Sequence, residues 1–311
     1  TFTLTSTIPD MSAYDTYTFN FKDTLSKGLT FGQVKSVKVE NVTLTENTDY
    51  TVTTPTASNN NTLTVAMKDF KTKQQANAGK KITVTYTATL NENAVVGGAG
   101  NVNSAKIQYS NNPSTNGTGE SEPSKVRVFT YGFTVDKYTG DQYTDAATRL
   151  AGAEFTLAHK DGSAISFVQV SAGSATANAV YRVAKAGETG TTTITTPANG
   201  KVVFEGLKNG EYTLTETKAP AGYNKLASAI GVKVNGQNNG TDTTNATVTI
   251  TYNNDNGNDY NQTASNGVIP VQNKSGAILP GTGGMGTIAF TVIGVLVIAL
   301  GVAWTLKRKN A

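Results

Sequence analysis

The sequence predicts an all-β protein: two immunoglobulin-like β-sandwich domains in series, closed by a C-terminal transmembrane helix. Three observations carry this. Short segments of alternating apolar and polar residues, rich in Val, Ile, Thr and aromatics, recur along most of the chain. Before residue 286 no long segment shows the 3.6-residue period of a helix, apart from a short helical turn expected near Met67 to Gln74. And 112–124, "NPSTNGTGESEPS", is a polar run of turn residues that divides the strands into two groups.

In the first group, strands are expected at 1–8, 16–21, 34–44, 81–90 and 105–110, separated by Gly, Asn and Pro clusters. In the second group they are expected at 125–137, 153–159, 201–207, 211–216, 230–234, 246–252 and 268–273. The expected division is therefore 1–115, a linker at 116–124, a second domain at 125–275 and a terminal segment at 276–311. Many short strands without a helical repeat read as sandwiches. The polar stretch 253–266 reads as a loop, and together with the large insertion between His159 and Gly200 it could present a binding surface.

Bulk composition narrows the function. Net charge is +4, from 26 basic and 22 acidic residues, but Lys307, Arg308 and Lys309 supply three of the positive charges. Without them the balance is 23 to 22, so no clustered basic face points to nucleic acid. The chain contains no cysteine and one histidine, His159, which precedes a "KDG" turn and lacks the neighbours a metal site needs. No cofactor motif stands: the glycine-rich 95–101 lacks the lysine of a phosphate loop. Gly281, Gly283 and Gly286 satisfy G-x-G-x-x-G but do not open the helix of a βαβ unit. The first residue is Thr, and no charged-then-apolar leader precedes it, so the chain reads as a processed form or a piece of a longer one.

The tail is distinctive. Residues 286–306 carry no charge, long enough to cross about 30 Å of hydrocarbon as a helix. Lys307, Arg308 and Lys309 follow directly, which places the C-terminus on the cytoplasmic side and everything before the span outside the cell. Trp304 sits where an interfacial anchor is expected. Just upstream, Leu279-Pro280-Gly281-Thr282-Gly283 resembles the LPxTG sorting signal of Gram-positive surface proteins. That resemblance implies that a sortase thiolate attacks the Thr282 carbonyl, releases Gly283 onward, and passes the acyl group to peptidoglycan or to a lysine of a neighbouring pilin subunit. The membrane then holds only the precursor.

Residues 125–275 resemble the B-type repeat of collagen adhesin and pilins, the CnaB domain. The resemblance is carried by "YGFTVDKYTGD" (131–141), "LAGAEFTL" (150–157), "GKVVFEGLKNGEYTLTETKAPAGYN" (200–224) and a last strand "IPVQNKSG". It implies an internal Lys–Asn isopeptide bond with Lys137 as nucleophile, Asn273 as acceptor and Glu216 as catalytic acid. Alternation agrees with this on its own terms. Lys137 continues the face of Phe133 and Val135, Glu216 that of Tyr212 and Leu214, and Asn273 that of Ile269 and Val271. An amine attacks a carboxamide only as the free base, and burial lowers a lysine pKa while raising that of a glutamate. A neutral Glu216 is expected to donate to the Asn273 side-chain oxygen and to stabilise the oxyanion. By analogy with a disulfide, a cross-link from 137 to 273 is worth roughly 5 kcal/mol and passes tension through a covalent bond.

Residues 1–115 resemble the middle isopeptide-forming domain of backbone pilins, through "YTFNFKDTLSKGLTF" (17–31) and "IQYSNNPS" (107–114). The resemblance implies Asp23 as catalytic acid and Asn111 as acceptor, with the reactive lysine upstream of Thr1. Lys22 neighbours Asp23 but points to the opposite face. Two functions fit: a structural subunit of a sortase-assembled pilus, or a wall-anchored adhesin or minor pilin that binds host glycan or matrix. An enzyme acting on an external substrate lacks a nucleophile–base constellation. A "YPK"-type pilin motif is expected upstream of Thr1 in the first case.

Overall fold

The computed structural model describes residues 1–142, 144–237, 247–254 and 259–276. The sorting motif at 279–283 and the apolar span at 286–306 lie outside the described residues. Among the described residues no helix is long and apolar enough to cross a membrane.

The first sandwich is built from β1 (Phe2–Thr7), β2 (Phe19–Leu25), β3 (Leu29–Val39), β4 (Val42–Thr43), β5 (Tyr50–Thr53), β6 (Thr62–Met67), β7 (Lys81–Leu90), β8 (Asn101–Ser110), β9 (Thr118–Glu120) and β10 (Ser124–Val128). One sheet runs β1-β7-β3-β4 and the other β10-β8-β2-β6-β5, with β9 also on β8. Inward residues alternate strictly along β2 and β6. Phe19, Phe21, Leu63, Val65, Val84 and Tyr86 are among those that fill the space between the sheets. A short helix, α1 (Phe70–Gln74), folds Phe70 back so that its ring stacks on Phe19 with centroids 4.5 Å apart. The helical turn read near Met67 is therefore present, but it begins after β6, a strand that the short Thr-Leu-Thr-Val alternation did not announce.

The second sandwich comprises β11 (Tyr131–Tyr138), β12 (Glu154–His159), β13 (Phe167–Ser171), β14 (Ala179–Val183), β15 (Ile194–Thr195), β16 (Lys201–Leu207), β17 (Gly210–Lys218), β18 (Ile230–Gln237), β19 (Thr247–Asn253), β20 (Gln262–Thr263) and β21 (Val268–Gln272). Its sheets run β13-β14-β16-β11-β21 and β15-β12-β17-β18-β19-β20. Two of its pairings are parallel, β14 with β16 and β11 with β21. The second of these brings the first and last strands of the domain side by side.

The structure corrects three expectations. The single strand read over 125–137 is two: β10 pairs with β8 in the first sandwich, and β11 begins the second. Phe129 and Thr130 separate them. The expected linker at 116–124 supplies β9 and the first residue of β10, because its backbone groups find partners along β8. The segment between His159 and Gly200 is not a loose insertion. It forms β13, β14 and β15, and buries Ile165, Phe167, Ala179, Tyr181 and Ile194 in the core. His159 is exposed and its ring tilts against Tyr212, 5.4 Å between centroids.

Candidate functional site

Lys137, Glu216 and Asn273 converge in the second sandwich. Lys137 and Asn273 come from one sheet. In the parallel pair, Lys137 lies opposite Val271, and the Asn273 backbone N–H donates to the Tyr138 carbonyl at 2.9 Å. Glu216 reaches across from the facing sheet on β17. Their exposures are 0%, 2% and 1%. Lys137 Nζ is 3.1 Å from Glu216 Oε1 and 3.3 Å from the Val271 carbonyl, and sits 5.8 Å from the centroid of the Phe155 ring. Burial pulls the Lys137 pKa down to about 8, even though the Glu216 charge and hydrogen bond oppose the shift. The amine is therefore far easier to deprotonate than a solvated lysine.

The amide orientation differs from the sequence expectation. Asn273 Nδ2, not its oxygen, faces the acid: it donates to Glu216 Oε2 at 3.0 Å and to the Asn224 carbonyl at 2.9 Å. The Leu226 amide also donates to Glu216 Oε2, at 2.7 Å. Asn273 Oδ1 is buried and accepts no hydrogen bond from the described residues. The reason is the loop after β17. It returns along the end of the last strand, with Tyr223 bridging Ser275 and the Asn224 amide donating to the Lys274 carbonyl. This puts a carbonyl where the amide nitrogen must point. Glu216 thus spans the amine with one oxygen and the amide nitrogen with the other.

The backbone of Lys137 is pinned by residues just before the starts of two neighbouring strands, β16 and β12. Its N–H donates to the Gly200 carbonyl at 2.8 Å and its carbonyl accepts from Leu150 at 2.9 Å. Gly200 has φ +70°, and a Cβ there would lie 2.6 Å from the Lys137 carbonyl oxygen, so only glycine fits. The preceding residue, Asp136, is 1% exposed and accepts from Arg149 at 2.8 Å. That pair fastens the 144–150 segment beside the end of β11.

In the first sandwich Asp23 and Asn111 do not meet. Asp23 is fully buried, whereas Asn111 is exposed beyond the end of β8. The antiparallel register places Asp23 opposite Ala105 and Leu25 opposite Asn103. Asn111 is then six residues, about 20 Å, along the strand from Ala105. The buried amide beside the acid is Asn103, 2% exposed, whose Nδ2 donates to Asp23 Oδ2 at 2.9 Å. Tyr86 Oη, from the facing sheet, is 2.6 Å from Asp23 Oδ2 and 3.2 Å from Asn103 Oδ1. Burial raises the Asp23 pKa against these two hydrogen bonds. Lys22 faces the other way, as expected, and pairs with the partly exposed Glu120 at 3.0 Å. Asn103 lies outside the strand expected at 105–110, which begins two residues too late to include it. Its spacing from Ala105, Ile107 and Tyr109 on one strand face was the available signal.

Comparison with known proteins agrees with this layout. Residues 4–113 match the family described as Gram-positive pilin backbone subunit 2, Cna-B-like domain. Residues 141–248 match the SpaA prealbumin-like fold domain, and 271–311 the LPXTG cell wall anchor motif. Among solved structures, the 35 kDa C-terminal fragment of the major pilin GBS80 of Streptococcus agalactiae is 25% identical with a TM-score of 0.60, covering 88% of this chain and 91% of that one. The pilus 2b backbone protein of group B streptococcus is 26% identical with a TM-score of 0.57, over 90% and 94% of the two chains. Domains D2 and D3 of the major pilin SpaD of Corynebacterium diphtheriae share the fold at 22% identity and a TM-score of 0.53, over 88% and 92%. No curated protein matches the chain.

Two pilin-type domains followed by an LPXTG anchor define a cell-wall-anchored surface protein of Gram-positive type, a sortase substrate made as a membrane-anchored precursor. Within that class it is a pilin, a structural subunit of a wall-anchored pilus with the domains of a backbone protein.

Proposed function

We propose that this subunit locks its second domain with an isopeptide bond between Lys137 Nζ and Asn273 Cγ. In this reading it is joined to peptidoglycan or to the next subunit through Thr282. The observation that carries the bond is the bridging carboxylate: Glu216 touches the amine at 3.1 Å and the amide nitrogen at 3.0 Å, in a site closed to water.

The chemistry follows from that bridge. The Lys137 ammonium gives a proton to Glu216 Oε1 and becomes a nucleophile. Oε2, held by the Leu226 amide and by Asn273 Nδ2, is already saturated with donors, so the proton belongs on Oε1. The amine attacks Asn273 Cγ, and the carbonyl electrons move to Oδ1. Glu216 then carries a proton from the new C–N bond to Nδ2, the old C–N bond breaks, and ammonia leaves. Of the five hydrogens on the ammonium and the amide, one stays on the new bond, three leave with ammonia and one remains on Glu216. The reaction occurs once per molecule. The only catalysis in this reading is self-modification, with sortase as the enzyme acting on the chain.

The matching arrangement in the first sandwich is Asp23 with Asn103, which we assign as acid and acceptor in place of Asn111. The intact mass of the chain truncated after Thr282 tests the bond in the second domain. A loss of about 17 Da, one ammonia, is expected in the wild type and none in Glu216→Ala; an unchanged wild-type mass would remove the bond from the reading.

A further inference from the structure

An asparagine side chain can also be attacked by the backbone. Where glycine follows, its nitrogen can reach the preceding Cγ and close a five-membered ring, because no Cβ hinders the approach. Among the described residues five asparagines precede glycine: Asn116, Asn199, Asn209, Asn235 and Asn266.

Four of these steps are held. Asn199 Nδ2 donates to Asn178 at 2.9 Å, its Oδ1 accepts from the Lys201 N–H at 2.9 Å, and the Gly200 N–H donates to the Pro197 carbonyl at 2.9 Å. Asn209 Nδ2 donates to the Gly236 carbonyl at 2.8 Å, and its Oδ1 accepts from the Gly236 N–H at 2.7 Å. The second of those bonds also occupies the nitrogen that would attack Asn235, a residue of β18 paired with Thr249. Asn266 and Gly267, at φ +51° and +71°, form the turn into β21, where Gly267 donates to the Ala264 carbonyl at 3.4 Å and Val268 to the Ser265 carbonyl at 2.9 Å.

Asn116 is different. It is exposed in the turn between β8 and β9, and its side chain makes no hydrogen bond to the described residues. The Gly117 N–H donates to the Thr115 hydroxyl at 3.2 Å, a neighbour in the same turn that moves with it. Neither Asn116 nor Gly117 is at positive φ.

We propose that Asn116-Gly117 is a self-modification site, at which the Gly117 nitrogen attacks Asn116 Cγ. The C–Nδ2 bond breaks, and ammonia leaves with the two side-chain amide hydrogens and the hydrogen of the Gly117 nitrogen. A cyclic imide remains. Water then opens it at either carbonyl, leaving an aspartate with the ordinary chain or one whose main chain runs through the former side chain. The rerouted form adds a methylene and a negative charge to the turn that leads into β9. That strand carries Glu120, which pairs with Lys22 at 3.0 Å and Lys106 at 3.3 Å, and the Gly117 carbonyl accepts from the Asn111 N–H at 3.2 Å. The modification therefore loosens the short strand that covers the outer end of β8.

The test is to hold the chain ending at Thr282 at neutral pH, digest it at intervals and weigh each Asn-Gly peptide, with fragmentation to assign the residue. The Asn116 peptide is expected to pass through a loss of about 17 Da to a net gain of about 1 Da, ammonia out and water in. The four held steps should convert roughly thirtyfold more slowly, since two hydrogen bonds must be given up first. Gly117→Ala, whose Cβ would meet Asn111 Oδ1 at 3.1 Å, should slow Asn116 by about tenfold. Amide exchange at Asn111 should be faster in the modified chain than in the fresh one. The rate at Asn116 should rise with pH, because a backbone amide nitrogen attacks only once deprotonated. This reaction does not depend on the bond between Lys137 and Asn273, and its products lie in a different peptide, so the two losses of ammonia are told apart. Conversion of Asn116 no faster than that of Asn199, Asn209 and Asn235, or an equal rate in Gly117→Ala, overturns the proposal.

Discussion

Lys137 Nζ and Glu216 Oε1 stand 3.1 Å apart with neither side chain exposed to solvent. A buried ion pair of this kind is a weak source of stability, because desolvation offsets most of its attraction. In the proposed reaction its value is as a shared proton beside the Asn273 amide. Glu216→Gln keeps the shape and removes the proton acceptor. The expected outcome is a folded protein that retains its full mass, with a lower unfolding midpoint than the wild type. The chain-entropy model puts the missing cross-link at about 5 kcal/mol. Calorimetry alongside mass spectrometry checks both halves.

The same pair sets a pH dependence. The reactive state holds one proton between the amine and the carboxyl. Lys137 releases that proton to solvent at about pH 8, so the rate of bond formation should be level below that value and fall above it. Refolding wild-type protein from denaturant across pH 6–10, with the mass read at intervals, measures this. A rate that climbs through pH 8 would mean that Glu216 does not carry the proton.

Stability of an unlinked protein should show the opposite trend. Asn273→Ala keeps Lys137 and Glu216 but has no acceptor. The folded pKa of Lys137, about 8, is below the 10.5 of an unperturbed lysine. Between those values the unfolded chain holds the proton and the folded chain does not. Stability therefore rises with pH across that window; the penalty is fully present below about 8 and gone above 10.5. Urea midpoints at pH 7 and pH 10 give the sign.

Arg149→Ala should be among the more damaging changes away from the reacting atoms. It leaves Asp136 buried at 1% exposure without its nearly buried partner; the remaining cation, Lys201, is 3.7 Å away and partly exposed. Breaking a buried pair by removing one member costs about 3–5 kcal/mol. Because the 144–150 segment also supplies the Leu150 amide to Lys137, bond formation should slow as well.

Gly200→Ala tests the backbone setting of Lys137. It forces an unfavourable φ and pushes a methyl to 2.6 Å from the Lys137 carbonyl. A loss of about 1–3 kcal/mol is expected. Gly162→Ala, also at positive φ but with nothing within 4 Å, separates backbone strain from steric contact.

Much of this was legible in the residues. Period-2 alternation put Lys137, Glu216 and Asn273 on inward faces, and the structure buries all three. Strands with long clean alternation, such as β7 and β16, were read nearly to their ends. What alternation cannot supply is register. By parity alone Asn111 falls on the same face as Asn103, and only the pairing of β2 with β8 says which of them stands near Asp23. Strand breaks fail for a related reason. In 125–137 the apolar positions move from even (Val126, Val128) to odd (Phe129, Tyr131, Phe133, Val135), a phase slip that a continuous strand reading passes over, and the chain changes sandwich there, at Phe129 and Thr130. The Asn273 amide orientation depends on one backbone carbonyl, that of Asn224, which no side-chain pattern encodes.

The bridge between Tyr223 and Ser275 has a consequence for how the sorting signal is offered. Five residues, 274 to 278, separate Asn273 from Leu279, and the first two are already fastened to the loop after β17. A chain advances at most about 3.6 Å per residue, so the substrate motif starts on a leash of roughly 15 Å from Ser275. A sortase that takes this motif must admit the shoulder of a folded sandwich to the rim of its cleft. The C-terminal end of the second domain is therefore part of what the enzyme has to accommodate.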